Sequence, residues 1–232
     1  MPILATALYG SRARGDHSAS SDTDLFLITD NDAIKHDAVG GLSSSYYPLH
    51  RVKEMAEGGN LFLYHVLHEG IILYDPKQIF ETLKNDFCFL DSYQHVATEA
   101  AAIGWMIVNH PNHAAQSPIL RRRIAWCVRT ILIAQSANRR SPVFSRDQLC
   151  KISSSIHVSS LIQQKDQKSN LAGTAIEFEY LEDFLVSTGI SNPVSSPINL
   201  ASYKAYFEKF NVSIGLDFLS SFDSSHVSEI YL

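Results

Sequence analysis

The stretch that decides the fold is LYGSRARGDHSASSDTDLFLI, residues 8–28. The apolar run 3–9 stops at Gly10, which reads as a buried strand ending in a tight turn. Residues 11–21 are small and polar, the composition of a turn or a short helical start. Asp22 and Asp24 then lead straight into a second apolar segment, residues 24–29, read as another buried strand. Carboxylates at the lip of a buried strand cost stability unless something holds them.

Residues two apart on a strand share a face, about 7 Å apart along the chain. Asp22 and Asp24 therefore repel each other unless a cation sits between them. Hard divalent ions such as Mg²⁺ use one or two carboxylates together with phosphate oxygens and water. Gly10 permits close approach of the backbone to a ligand. Ser11 offers a hydroxyl and an amide, and a helix starting there adds free N–H groups. An anion grip and a metal platform on adjacent strands make a holder for a nucleoside triphosphate, with the metal bridging phosphates and carboxylates.

Outward from this stretch, residues 30–41 (DNDAIKHDAVGG) read as a polar connection with a short helix. Residues 43–52 (SSSYYPLHRV) read as a third strand, with Pro48 favouring an edge or a bulge. Residues 60–70 have helical spacing, and Gly70 suits the helix end. IILYD, residues 71–75, reads as a fourth strand, and Pro76 as the opening of a new helix. Beyond that point the pattern is helical: 76–86, 92–109, 117–137, two short helices in 145–165, then 175–187 and 199–210. Residues 164–173 (QKDQKSNLAG) read as a polar loop, and the tail after 211 is weakly patterned. In 117–137, Leu120, Ile124, Cys127, Ile131 and Ala134 repeat at three and four, the mark of a buried stripe. The expected fold class is α+β. A small mixed-sheet domain, 1–75, precedes an all-α domain, 76–232.

Composition sets limits. The 232 residues are 45% apolar and 19% charged, ordinary for a globular protein. No apolar run is long enough for a membrane span, and no secretion signal is read at the start. Cys88, Cys127 and Cys150 are far apart and odd in number, which points to reduced thiols and a cytoplasmic setting. Net charge is −5, but the middle third, 76–150, has nine Lys/Arg against five Asp/Glu. Arg122, Trp126 and Arg129 are spaced to share a helical face, which suits either contact with phosphate or an acidic substrate or a solvated, salt-bridged surface. A pI of about 6.0 and the absence of a recognition signature speak against nucleic acid. His65/His68 and His110/His113 lack cysteine or acidic company at zinc spacing and read as packing or capping residues.

GS, ten residues, then DTD resembles the signature of the DNA polymerase β-like nucleotidyltransferase superfamily, and GSRARGD…SDTDL resembles its minimal nucleotidyltransferases. HEGIILYD, residues 68–75, resembles the end of that family's domain. The resemblance implies a mixed sheet with helices, Mg²⁺ held by Asp22 and Asp24 as the catalytic pair, and phosphate contacts from Gly10 and Ser11. Ser21 is implied near the triphosphate. Arg12 and Arg14 match the family's R-A-R-G stretch, with roles in phosphate contact or in salt bridges. The implied reaction is transfer of a nucleoside monophosphate, AMP from ATP, to a hydroxyl acceptor. Joining such a domain to a helical bundle resembles the aminoglycoside adenylyltransferases. The alternative is a weakly active or inactive antitoxin of the same fold that binds, or adenylylates, a partner toxin.

One departure stands out. The family carries a third carboxylate on the following strand, and SSSYYPLHRV has none. Tyr47, Leu49 or His50 is expected at that place, with His50 either a base or a core histidine. Glu54, the nearest acid, is expected past the strand.

Overall fold

The computed structural model describes residues 2–17, 19, 21–166 and 175–222. The chain divides into two compact units, the first running through Asp91 and the second starting at Ser92.

The first unit is a five-stranded mixed sheet. Its strands are β1 (Ile3–Tyr9), β2 (Thr23–Thr29), β3 (Lys35–Val39), β4 (Leu42–Pro48) and β5 (Ile71–Tyr74). They lie in the order β3-β4-β2-β1-β5. β4 runs parallel to β2, and the other neighbours are antiparallel. Helices α1 (Gly10–Arg14), α2 (Leu49–Glu57), α3 (Leu61–Glu69) and α4 (Ile79–Asp86) complete the unit.

Alternation builds the core. Ala5 and Ala7 of β1 face Ile28 and Phe26 of β2 across the ladder. The small alanines leave room for Val52 and Ala56 of α2, Leu63 and Val66 of α3, and Phe80 and Leu83 of α4, all in the same buried cluster. Asn60 caps α3 by accepting from the Leu63 amide at 3.0 Å.

Four expectations need correction. Residues 30–41 contain no helix; they supply the edge strand β3, joined to β4 through Gly40 and Gly41, both at positive φ. A Gly-Gly pair with that backbone suits a tight hairpin turn whose twist matches the strands. The third strand ends at Pro48, and Leu49–Glu57 turn into α2. Pro48 closes an inner strand at its last residue, where no further ladder bond is needed. Pro76 lies in a turn: the Asp75 carboxylate accepts from the Ile79 and Phe80 amides at 2.8 and 2.9 Å, so α4 begins three residues later. Finally, the first unit runs past the boundary expected at 75/76, because Phe80 and Leu83 belong to the sheet's core.

The second unit is helical. It comprises α5 (Gln94–Asn109), α6 (Pro111–Ala114), α7 (Leu120–Asn138), α8 (Arg146–Ile152), α9 (Val158–Gln163), α10 (Ala175–Ser187), α11 (Leu200–Lys209) and α12 (Ser213–Ser220). The expected α7 stripe of Leu120, Ile124, Cys127, Ile131 and Ala134 is buried. α12 is an addition to the weakly patterned tail. Gln164–Asp166 form a 3₁₀ turn, and the rest of the polar segment expected at 164–173 lies outside the described residues. No described helix is long and apolar enough to cross a membrane.

A fragment ending at Asp91 is expected to unfold cooperatively in urea, and one ending at Asp75 is not. Phe80→Ala in the full chain should cost about 3–5 kcal/mol, read from denaturant midpoints.

Candidate functional site

The corner where β1 ends and β2 begins gathers the residues singled out from the sequence. Tyr9 and Asp24 are direct partners across the antiparallel ladder. Gly10 follows Tyr9 with φ +77°, a left-handed conformation that disfavours any side chain. A Cβ built on Gly10 would lie 2.6 Å from Asp24 Oδ2. The Asp24 carboxylate thus rests against a backbone that has no side chain to displace it. Asp22 lies beside Gly41 of the β3–β4 turn, where a Cβ would stand in ordinary contact with Oδ1 at 3.8 Å. The Thr23 amide donates to the Gly41 carbonyl at 2.8 Å and ties that turn to the start of β2.

Arg12 has a definite place. Its Nη2 and Nε donate to the Ser21 carbonyl at 2.7 and 3.2 Å, and Nε also reaches the Asp22 carbonyl at 3.2 Å. The guanidinium therefore clasps the backbone that leads into Asp22. Ser11 accepts the Asp16 amide at 3.1 Å through its carbonyl, closing the short α1 turn. The structure brings Gly10, Ser11, Arg12, Ser21, Asp22 and Asp24 into one corner of the sheet.

Arg14 turns the other way. It donates to Glu69 Oε2 at 3.2 Å and to Asp16 Oδ2 at 3.1 Å. His65 Nδ1 lies 3.0 Å from the same Glu69 oxygen. This brace joins α1 to α3. Burial works to raise the Glu69 pKa, but the hydrogen bond and charge of His65 and the charge of Arg14 outweigh it and leave the carboxyl below its ordinary value. Sequence spacing revealed His65 only as a packing or capping residue; its acidic partner one turn later, in H-x-x-x-E, is the signal that was there to read.

The residues expected at the third-carboxylate place do not stand beside the aspartates. Tyr47 is in register with Ile28 and stacks on Phe26 with ring centroids 5.1 Å apart. Leu49 and His50 belong to α2, and His50 is exposed. Glu54, also on α2, pairs with Arg51. The residue in register with Asp24 on β4 is Ser43. The cause is the turn: β4 starts directly after Gly41, so its first residues, not its last, lie opposite the start of β2.

The donor set suits magnesium in kind. Asp22 and Asp24 offer hard carboxylate oxygens, and two carboxylates completed by phosphate and water match that ion's habit. Among the described residues no cluster of three or more His, Cys, Asp or Glu forms a fuller metal cage.

In the second unit, the arginines of α7 are engaged with the protein. Arg121 pairs with the buried Glu177 at 3.2 Å, and Arg129 donates to the Phe144 carbonyl at 2.9 Å. Arg123 lies over the Trp126 and Phe218 rings, and burial lowers its pKa.

Residues 1–79 match the family described as Polymerase beta, Nucleotidyltransferase. The N-terminal unit thus carries a nucleotidyltransferase domain of that kind. A solved nucleotidyltransferase-like protein from Exiguobacterium sibiricum 255-15 is similar at 13% identity, over 90% of this chain and 74% of that chain, with a TM-score of 0.34. No curated protein matches the chain.

Gly10→Ala should destabilise the protein by more than Gly41→Ala. Both pay about 1–2 kcal/mol for a side chain in the left-handed region, but only Gly10→Ala also drives a methyl group into Asp24; urea midpoints of the two variants check this. The Glu69 carboxyl sits below its ordinary 4.5, so its contribution is present above that value and is lost as pH falls through the depressed one. Wild type should therefore lose its stability margin over Glu69→Gln as pH drops below about 4.5, read by thermal unfolding across pH 3–7.

Proposed function

We propose that the first unit holds a magnesium-bound nucleoside triphosphate, ATP, in the Gly10/Asp24 corner and transfers its nucleoside monophosphate to a hydroxyl acceptor, releasing pyrophosphate. What carries this reading is the seating of two carboxylates on one strand edge, beside Gly10–Ser11, in a domain of the polymerase β nucleotidyltransferase family. In this reading Asp22 and Asp24 hold Mg²⁺. The ion, when bound, neutralises charge on the phosphates and orients the α-phosphate for in-line attack.

The chain's own residues do the rest. Ser11 presents its hydroxyl and amide to the phosphates, and Gly10 lets them approach the backbone. Arg12 keeps the loop through Ser21 in place, so Asp22 stays directed at the same point. Ser21 stands at the edge of the triphosphate site. The brace of Arg14, Glu69 and His65 fixes α1 on α3, which holds Ser11 steady relative to the aspartates. The helical unit supplies recognition of the acceptor.

A second reading is favoured by β4, which carries no carboxylate; the residue there in register with Asp24 is Ser43. On that reading turnover is weak, and the helical unit binds a partner protein, as an antitoxin does.

Titration calorimetry with a non-hydrolysable ATP analogue separates these ideas from none at all. Binding is expected with Mg²⁺ and should weaken at least about tenfold without it. Asp22→Ala and Asp24→Ala should each lower AMP transfer from ATP by about 10²–10³-fold, the usual loss for one electrostatic contact to the transition state. No binding of the analogue in the presence of Mg²⁺ would falsify the nucleotide reading.

A further inference from the structure

Arg121, Arg122 and Arg123 stand in the first turn of α7, which carries no acid. Cations there face the positive end of the helix dipole, so each gains more than usual from a negative partner. Arg121 has one in the buried Glu177, and Arg129, further along the helix, donates to the Phe144 carbonyl. Arg123 has none. Among the described residues its guanidinium makes no ion pair and no hydrogen bond, and its Nε is buried without an acceptor. Two aromatic rings surround it instead. Its Cζ lies 5.6 Å from the ring centroid of Trp126, one turn along α7, and 5.7 Å from that of Phe218 on α12.

The rings attract the positive charge through their π faces, but they accept no hydrogen bond from the fork in the way an oxygen does. Burial works against the charged form and lowers the Arg123 pKa, against smaller opposing effects from Cys127 and Asp217. A guanidinium held in this state is poorly satisfied by its own protein. Its surroundings are nonetheless well fixed. Phe218 is fully buried and packs edge-on to Phe222, with centroids 4.9 Å apart. Ser117 Oγ and Ser221 Oγ meet at 2.7 Å inside the protein and tie the segment before α7 to the end of α12. Arg123 as a whole is only partly buried, so with Nε closed off, the open end of the fork is its pair of Nη groups.

We propose that Arg123 is the seat of an oxyanion-binding site in the helical unit. The two Nη groups take two oxygens of a phosphate or carboxylate group end-on, while Trp126 and Phe218 hold the fork in place. Paired N–H···O bonds from a planar fork are what arginine offers to both groups. Phosphate is the stronger ligand of the two, because it carries more negative charge at neutral pH. The site goes beyond nucleotide binding in the Gly10/Asp24 corner and does not depend on it, since its residues belong to α7 and α12.

The test uses the full chain without Mg²⁺ and three probes at matched ionic strength: sodium phosphate, sodium acetate and sodium chloride. The Arg123 Nε–H signal in a proton–nitrogen correlation spectrum, identified by its loss in Arg123→Met, reports on this seat alone. Phosphate should move it saturably, acetate only at higher concentration, and chloride not at all. Asp217→Asn, which removes a neighbouring negative charge, should tighten phosphate by about threefold. Phosphate should also raise the urea midpoint of wild type by more than that of Arg123→Met, whose gain reports only the general salt effect. In chloride, Arg123→Met should be at least as stable as wild type, since an apolar side chain then replaces a charge without a partner. A stronger response to phosphate identifies a phosphate-bearing ligand and a stronger response to acetate a carboxylate-bearing one; either upholds the site. A signal that moves alike in phosphate, acetate and chloride would overturn it, as would equal phosphate gains in wild type and Arg123→Met. Equal losses of stability in Arg123→Met and Asp217→Asn would show a structural ion pair and overturn it too. Failure of the ATP analogue to bind would sink the nucleotide reading and leave this site standing.

Discussion

The contact between Asp24 and Gly10 is the constraint on which the rest of the first unit turns. A carboxylate reaches the backbone of the neighbouring strand only where that backbone has no Cβ, and the chain leaves β1 through a left-handed turn only where glycine permits it. One residue meets both demands. Because Tyr9 and Asp24 are ladder partners, the register of β1 against β2 and the placement of the carboxylate are a single fact. A slip of one residue would turn Asp24 to the other face and take Phe26 and Ile28 out of the core. Stability and site geometry are thus enforced by the same pairing.

Around that contact, polar side chains are used to hold backbone. Arg12 clasps the carbonyls of Ser21 and Asp22, and Arg14 joins α1 to Glu69 on α3. Arginine suits both tasks, since its planar fork serves two acceptors at once. The resemblance implied contact with phosphate or salt bridges for residues of this R-A-R-G stretch. Here both make bonds to the protein itself, and they hold the loop and helix that flank the aspartates. The same economy is seen on α7, where Arg121 and Arg129 bind a carboxylate and a carbonyl of their own unit.

The elements read well from sequence were those whose signal is local. β1, β2, α3 and β5, and the long helices α5 and α7, follow from apolar periodicity and from Gly10 and Gly70. β3 was missed because an edge strand of polar residues has no clean alternation, although Gly40-Gly41 marked the hairpin. The start of α4 was misplaced because Pro76 is a common first helical residue, whereas the Asp75 carboxylate selects Ile79 and Phe80 as the capped amides. The short helix α12 has too little length for its pattern to stand out.

The sequence by itself determined that Asp22 and Asp24 share a face, that a glycine and a serine precede them by a fixed interval, and that a helical region follows a small sheet. These are consequences of the two-residue strand period and of residue identity, and they hold without knowledge of any partner strand. The tertiary structure alone decided what lies across from the aspartates. It set Ser43 beside Asp24, carried Tyr47 to the far end of the strand, and brought Glu69 to Arg14. The reason is that periodicity governs direction within a strand, while the pairing between strands depends on turns and on burial contributed by residues distant in the chain.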